Sequence, residues 1–453
     1  MASEQLLEST KFSVNQLALV NKNGEVIDIS NFYAEMSFFD SMFVPVMSGT
    51  ITMTDAIGLS EEFSFDGSEV LLVDISKFDN SGITDFRKAF RIRKMTNRTN
   101  INQSTLMYTL HFVSDELIYS DQRKVNQKYI GTYSDIVGKI LADYLKVDPI
   151  KFKGYFNQSY GLKSIVIPDL SPLDAIQWCT NRAVDENQSP DFVFFENVVG
   201  YNFTTLSKLL QATEVLDIKF QAKNLNSLET IDEMSGARHF EVISTPDLTR
   251  RTREGVVSGT FQMFDPMTRS IGPNYNKTVN YGDHFYTMKH GNGTESPLLS
   301  NLINRDGTTN IESYEAKRSF GISAANRKLS KYISSKYPAS VMKEEDTENF
   351  VFQRKAIIEN LISKRLKIVM PGNFQLSSGF NVNVQSRVFG RPKASEDETV
   401  NGKYIITASR HILKSIGKFE TIIETATTSS GIDYVPTSSN IDASDVYSYD
   451  EIY

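Results

Sequence analysis

Between Ile368 and His411 the chain strings together Ile368-Val369-Met370-Pro371-Gly372-Asn373-Phe374, Gly379-Phe380-Asn381-Val382-Asn383-Val384 and Gly402-Lys403-Tyr404-Ile405-Ile406. Short apolar runs punctuated by Pro, Gly and Asn interrupt any helix and suit strands that fold back on one another. The run reads as a small antiparallel barrel closing on itself. It shows no sign of a catalytic pocket.

The other end of the chain carries the same signals. Val14 to Val20 leads through Asn23-Gly24 into Val26-Ile27-Asp28-Ile29, the signature of a hairpin whose type I′ turn takes two positive φ values. Gly49-Thr50-Ile51-Thr52-Met53-Thr54 alternates apolar and hydroxyl residues at period two, as a strand with one buried face does. Val70 to Ile75, Phe90 to Arg93 and Leu106 to Phe112 add three more strands, enough for a second small barrel or sandwich.

Between these ends the period changes. Ile136, Val137, Ile140, Leu141, Tyr144 and Leu145 fall on one helical face after Thr132 and Ser134 as caps, with Asp148-Pro149 as the stop. Ser171-Pro172 opens a second helix through Leu173, Ile176, Cys179 and Ala183, with Ser as N-cap and Pro at the first helical position. Phe192 to Phe195 and Tyr201 to Phe203 flank Gly200 as a hairpin, so residues 121 to 215 read as a compact α/β module.

Leu216 to Phe220 and Leu225 to Met234 read as a strand and a short helix. Residues 246 to 347 are polar and turn-rich, with Gly291-Asn292-Gly293 and Asp306-Gly307, broken by a strand from Val256 to Phe264. A helix over 349 to 362, with Phe350, Ile357, Ile358 and Leu361, hands over to the closing barrel of 364 to 426. No internal repeat shows at periods of 20 to 50 residues.

A chain of 453 residues holds two to four domains. With 29 Phe and 20 Tyr against one Trp, it favours half-buried strands over helical bundles. The fold class expected is therefore α+β and β-rich. Net charge is −7, which leaves no overall footprint for nucleic acid or an anionic membrane. Asp433, Asp442, Asp445, Asp450 and Glu451 place five of those charges beyond residue 426, in a Ser- and Tyr-rich stretch expected to be a mobile tail unless a partner orders it. Cys179 is the single cysteine, so neither a disulfide framework nor a multi-thiolate zinc site is available. Met1-Ala2-Ser3-Glu4-Gln5 lacks the basic start and apolar core of a secretory leader, so none is expected, and with no apolar run of 18 residues a membrane-spanning helix is not expected either.

No enzyme motif stands out. His111, His239, His284, His290 and His411 lack metal-ligand spacing; His284 and His290 lie in a loop without a third ligand. His411 is expected to be satisfied by barrel backbone. Cys179, beside Trp178, lies on the apolar stripe of its helix, the place of a small buried hydrophobe rather than a nucleophile. Glu344-Glu345-Asp346 and Glu396-Asp397-Glu398 are contiguous loop acids, whereas glycoside hydrolysis needs carboxylates held about 5 to 10 Å apart on rigid elements. Arg87, Lys88, Arg91, Arg93, Lys94 and Arg98 form a basic cluster. Its reading as a phosphate contact is outweighed by one in which Arg91 and Arg93 share a strand face and pair with acids of a neighbouring subunit. The site reading is thus no catalytic, cofactor or metal residues.

Three segments carry a resemblance. Phe39-Asp40-Ser41-Met42 with Ser48-Gly49-Thr50-Ile51-Thr52-Met53-Thr54-Asp55 looks like a first-barrel excursion ending in Asp; Phe240-Glu241-Val242-Ile243 to Phe261-Gln262-Met263-Phe264-Asp265 looks like a return to a middle domain; and Pro371 to Leu376, Gly379, Gly402-Lys403-Tyr404 and His411 look like the close of a second barrel. In that order they resemble the baseplate hub subunit of contractile-tailed bacteriophages, the family that includes the N-terminal part of type VI secretion spike proteins. The resemblance implies two tube-like antiparallel β-barrels that are pseudo-copies, 10–120 and 216–245 with 348–426. It implies an outer α/β domain inserted in the second barrel, 121–215 with 246–347, and a tail, 427–453. It further implies a non-enzymatic homotrimer whose six barrels adapt a sixfold tail tube to a threefold central spike. The implied partners are the spike protein, the tail tube or tube initiator, the tape measure and baseplate wedge proteins, with no membrane insertion and no specific nucleic acid. The expected location is the virion baseplate, after assembly in the host cytoplasm. The competing readings are a peptidoglycan-degrading or a receptor-binding tail-tip protein.

Overall fold

The computed structural model describes residues 12–62, 65, 67–77, 84–102, 104–147, 154–187, 189–220, 236–244, 247, 249, 253, 258–264, 276–280, 318–322, 347–362, 364–386 and 400–428. The expected features at Leu225 to Met234, Gly291 to Gly293, Asp306-Gly307, His284, His290, the two acidic runs and the tail from 429 lie outside those residues.

The N-terminal strands are β1 (Phe12–Val20), β2 (Val26–Asp28), β3 (Tyr33–Ser41), β4 (Ser48–Asp55), β5 (Val70–Lys77), β6 (Thr84–Asn102) and β7 (Thr105–Ser114), with a short helix α1 (Leu59–Glu62) after β4. In β4 and β5 every second residue is buried, so Ile51, Met53, Leu71, Val73 and Ile75 meet Phe38, Phe90 and Phe112 in one core. Burying each of these side chains stabilises by roughly 1.5–3 kcal/mol. The strands run β3-β4-β7-β6-β5-β1-β2. The ring closes because β2 and β3 are one strand broken by a turn at Ser30–Phe32. Its first part pairs with β1, and its second part pairs with β4.

One local expectation fails here. The β1–β2 turn contains only one positive φ, at Gly24 (+83°). Val20 pairs with Val26, leaving five residues in the loop. The Asn21 side-chain oxygen accepts from the backbone N–H groups of Asn23 and Glu25, so an Asn-anchored wider loop replaces the two-residue type I′ turn.

The α/β module contains α2 (Asp115–Asp121), β8 (Lys128–Gly131), α3 (Tyr133–Asp143), β9 (Lys163–Val166), α4 (Pro172–Thr180), β10 (Phe192–Glu196), β11 (Tyr201–Thr205) and α5 (Leu206–Gln211). Thr132 caps α3 in a reciprocal box with Asp135, and Ser171 caps α4 ahead of Pro172. Helix α3 ends at Asp143, before the expected stop at Asp148-Pro149. Ile136, Ile140, Ile176, Cys179, Phe192 and Phe203 share a separate core.

The remaining elements are β12 (Glu214–Phe220), β13 (His239–Ser244), β14 (Ser258–Phe264), β15 (Asn276–Asn280), β16 (Arg318–Ile322), α6 (Thr347–Leu361), β17 (Lys364–Pro371), β18 (Asn381–Ser386), β19 (Gly402–Lys414) and β20 (Lys418–Thr427). Strands β14 to β16 form a small sheet of their own. The second barrel runs β12-β18-β19-β20-β17-β13. It returns to β12 through a bridge between Lys219 and Gly236 and a stack of Phe220 on Phe240 at 5.4 Å.

Two features of this barrel differ from the expectation of an antiparallel barrel closed on itself. Strand β12 arrives from the module and pairs parallel to β18. Strand β19 also outruns its neighbour: Gly402 to Ile405 pair with β18, but Ala408 to Lys414 pair with Ser41 to Glu35 of β3. The two barrels therefore share one sheet, in a β-rich α+β fold.

Candidate functional site

The shared sheet is where chemistry-bearing side chains converge. Alternation along β3 turns Met36, Phe38 and Asp40 inward, and β19 sets Leu413, His411 and Ser409 opposite them. The fully buried Asp40 carboxylate accepts hydrogen bonds from Ser409 Oγ at 2.7 Å and Ser378 N–H at 3.1 Å. It also accepts one from Ser377 Oγ. Burial pushes this carboxyl above its ordinary value, opposed by those three donors and by the charge of Lys88.

His411 lies beside Asp40 with no solvent exposure. Its Nε2 is 3.1 Å from Ser409 Oγ and its Nδ1 is 3.1 Å from Thr421 Oγ1. The Phe374 ring lies 5.1 Å away. Desolvation drops the imidazole pKa to about 3, so it is neutral. Its partners are two hydroxyls, not the barrel backbone expected from sequence. A base sealed from solvent with both nitrogens engaged cannot reach a substrate proton; it ties β19 to β20.

A second buried cluster joins the module to this seam. Lys88 of β6 pairs with Glu196 of β10 at 2.8 Å. Glu196 also accepts from Met47 N–H at 2.8 Å and from Ser114 Oγ, while Lys88 donates to the Asn197 carbonyl at 3.2 Å. Burial alone would raise the Glu196 carboxyl; the Lys88 charge and these hydrogen bonds outweigh it and hold it below the ordinary range. Asn197 Nδ2 continues the chain to the Ser378 carbonyl at 3.0 Å. First barrel, module and second barrel thus meet through consecutive polar contacts.

The basic cluster is dispersed by the fold. Arg87 is exposed, 3.7 Å from Asp74, and Lys88 is buried in the junction. Arg91 pairs with Asp115 of its own chain at 2.9 Å. A bulge between Ile92 and Lys94 gives Arg91 and Lys94, rather than Arg91 and Arg93, the positions opposite Val113 and His111. His111 is 2.9 Å from Thr96 Oγ1. His239 is exposed, 4.0 Å from Glu241. Cys179 is buried in the module core, and Arg182 stacks 3.9 Å over the Trp178 ring.

Among the described residues, no group of three His, Cys, Asp or Glu is placed to hold a metal ion. A cleft of about 240 Å³ between the module and the second barrel is lined by Tyr155, Phe195, Asn197, Asn202 and Phe380 among others, with no carboxylate or histidine. Asp40 and the Lys88–Glu196 pair were invisible as a site in the sequence. The available signal was Asp40 standing at an inward position of an otherwise apolar strand, where a carboxylate needs partners from elsewhere.

No protein-family model and no curated protein matches the chain. Among solved structures, the chain is similar to the tail protein from Neisseria meningitidis MC58, at 10% identity with a TM-score of 0.50, over 92% of this chain and 96% of that one. It also aligns with the 43 kDa tail protein of prophage MuSo2 from Shewanella oneidensis, at 9% identity with a TM-score of 0.47, over 92% and 99% of the two chains. The first likeness shows the fold, which is that of a tail protein.

Proposed function

We propose that this chain is a structural baseplate hub subunit of a contractile phage tail, three copies of which close a ring that adapts a sixfold tube to a threefold central spike. The observation that carries this reading is the sheet continuing from one six-stranded barrel into the next. A chain that presents two similar barrels edge to edge gives six in a trimer, and heterologous contacts close such a unit into a ring. The fold shared with a tail protein supports it. The buried Asp40 and Lys88–Glu196 clusters then act as rivets that fix the angle between barrels, a structural rather than catalytic task. The central spike would bind one face of the ring and the tail tube or its initiator the other, with the tape measure and wedge proteins as further contacts in the virion.

Mass photometry of the purified chain, alone and with its spike protein, is expected to show a species at three times the chain mass. Electron microscopy is expected to show rings of pseudo-sixfold outline. A persistent monomer in both conditions would overturn the proposal. So would a clearing band on peptidoglycan zymography that one carboxylate substitution abolishes.

A further inference from the structure

The two barrels repeat each other strand for strand across most of their circumference. Strands β5, β6, β7, β4 and β3 of the first correspond to β18, β19, β20, β17 and β13 of the second, joined in the same order. The correspondence extends to single residues. In the first barrel β6 pairs with β5 up to Arg91, opposite Val70, and a bulge then interrupts its pairing with β7 between Ile92 and Lys94. In the second, β19 pairs with β18 up to Ile405, opposite Asn381, and a bulge interrupts its pairing with β20 between Ile406 and Ala408. Arg91 thus matches Ile405, Lys94 matches Ala408 and Thr96 matches Arg410.

Beyond the bulge both long strands leave their short neighbour. In β19 the vacated edge is filled by β3, with Arg410 opposite Phe39. In β6, among the described residues, no strand pairs with the corresponding edge from Lys94 to Asn102. The strand that matches β3 is β13. Phe39 pairs with Ser48 of β4 just as Ser244 pairs with Arg365 of β17. Among the described residues no strand pairs with the other edge of β13 past Phe240, and its Val242 and Ile243 are 44% and 37% exposed. A long strand edge left open invites pairing. One chain therefore carries both halves of a seam it has already made once.

We propose that β6 beyond its bulge pairs antiparallel with β13 of a second copy of this chain, Thr96 opposite Ser244, repeating between chains the seam that β19 and β3 make within one. The contact is heterologous, each copy offering β6 to one neighbour and β13 to the other. Its closure after three copies rests on the hub reading above.

The test is disulfide trapping in the full chain. Directly opposed residues of an antiparallel pair lie about 4.5–5.5 Å apart at Cα, within disulfide reach, and the native Cys179 is buried. Oxidised Thr96→Cys/Ser244→Cys is expected to give a ladder of covalent dimer and trimer that ends at three chains and collapses on reduction. The matched pair Phe39→Cys/Arg410→Cys should close inside one chain as a faster-migrating monomer. A non-covalent trimer in which this control closes but the Thr96–Ser244 pair does not would overturn the inference and leave the hub reading standing. A chain that stays monomeric would overturn both. Independently, Ile243→Lys should lower the trimer population at least tenfold with an unchanged circular dichroism spectrum; an unaltered trimer would count against the seam.

Discussion

Lys88 and Glu196 show what a buried charge does at the residue scale. Their side chains are 9% and 0% exposed, so removing one strands the other in a medium that solvates it poorly. Lys88→Met is expected to cost about 3–5 kcal/mol, read as a lower urea midpoint, and Lys88→Met/Glu196→Gln should regain most of it. His411 and Asp191 make opposite predictions for pH. His411 has its pKa lowered from 6.5 to about 3 by burial, so below about pH 6.5 the unfolded chain takes up a proton that the folded chain refuses, and stability falls as pH drops. Asp191 has its pKa raised from 3.8 to about 6, chiefly by burial; its contribution is fully present below 3.8 and is lost as pH rises towards 6. Urea titrations over this range should show His411→Gln removing the acid-side loss and Asp191→Asn removing the opposing decline. Parallel wild-type and variant profiles would show that neither group titrates as stated.

At the scale of elements, caps and strand alternation act locally, so they could be read from sequence. Thr132 and Ser171 sit one residue before α3 and α4, and each accepts from the backbone N–H three residues on. Thr132→Ala is expected to cost about 1 kcal/mol in thermal or urea unfolding. Gly49 is a different case, because its role depends on neighbours in other strands. It lies between Phe38 and Phe112 in the sheet, and an added Cβ would stand 2.3 Å from the Phe112 ring and 2.4 Å from the Ser37 carbonyl. Gly49→Ala is therefore expected to destabilise by roughly 1–3 kcal/mol through overpacking, more than the loss of a helix cap. Equal effects of the two substitutions would mean that the sheet yields at Gly49.

For the whole molecule, the continuous sheet and the polar contacts at Asp40, Ser378, Asn197 and Glu196 predict joint unfolding of barrels and module. Trp178, the only tryptophan, reports on the module, whereas far-ultraviolet circular dichroism reports mainly on strands. Urea transitions followed by the two signals should coincide, and Asp40→Ala should shift both together. Separate midpoints in the native chain would show that the seam does not couple them.

The strands, the two capped helices and the β-rich class were legible in the sequence because their causes lie within a few residues: period-two burial, a Ser or Thr before a helix, Pro at its first position. The resemblance of the ordered segments pointed to the tail-protein fold that the comparison shows. Other outcomes depended on partners far along the chain. The parallel entry of β12, the crossing of β19 onto β3 and the fate of each basic residue on β6 follow from which edges and charges meet in space. His411 illustrates the division: sequence placed it in a closing strand, but only the fold could bring Ser409 and Thr421 to its two nitrogens and exclude water around it.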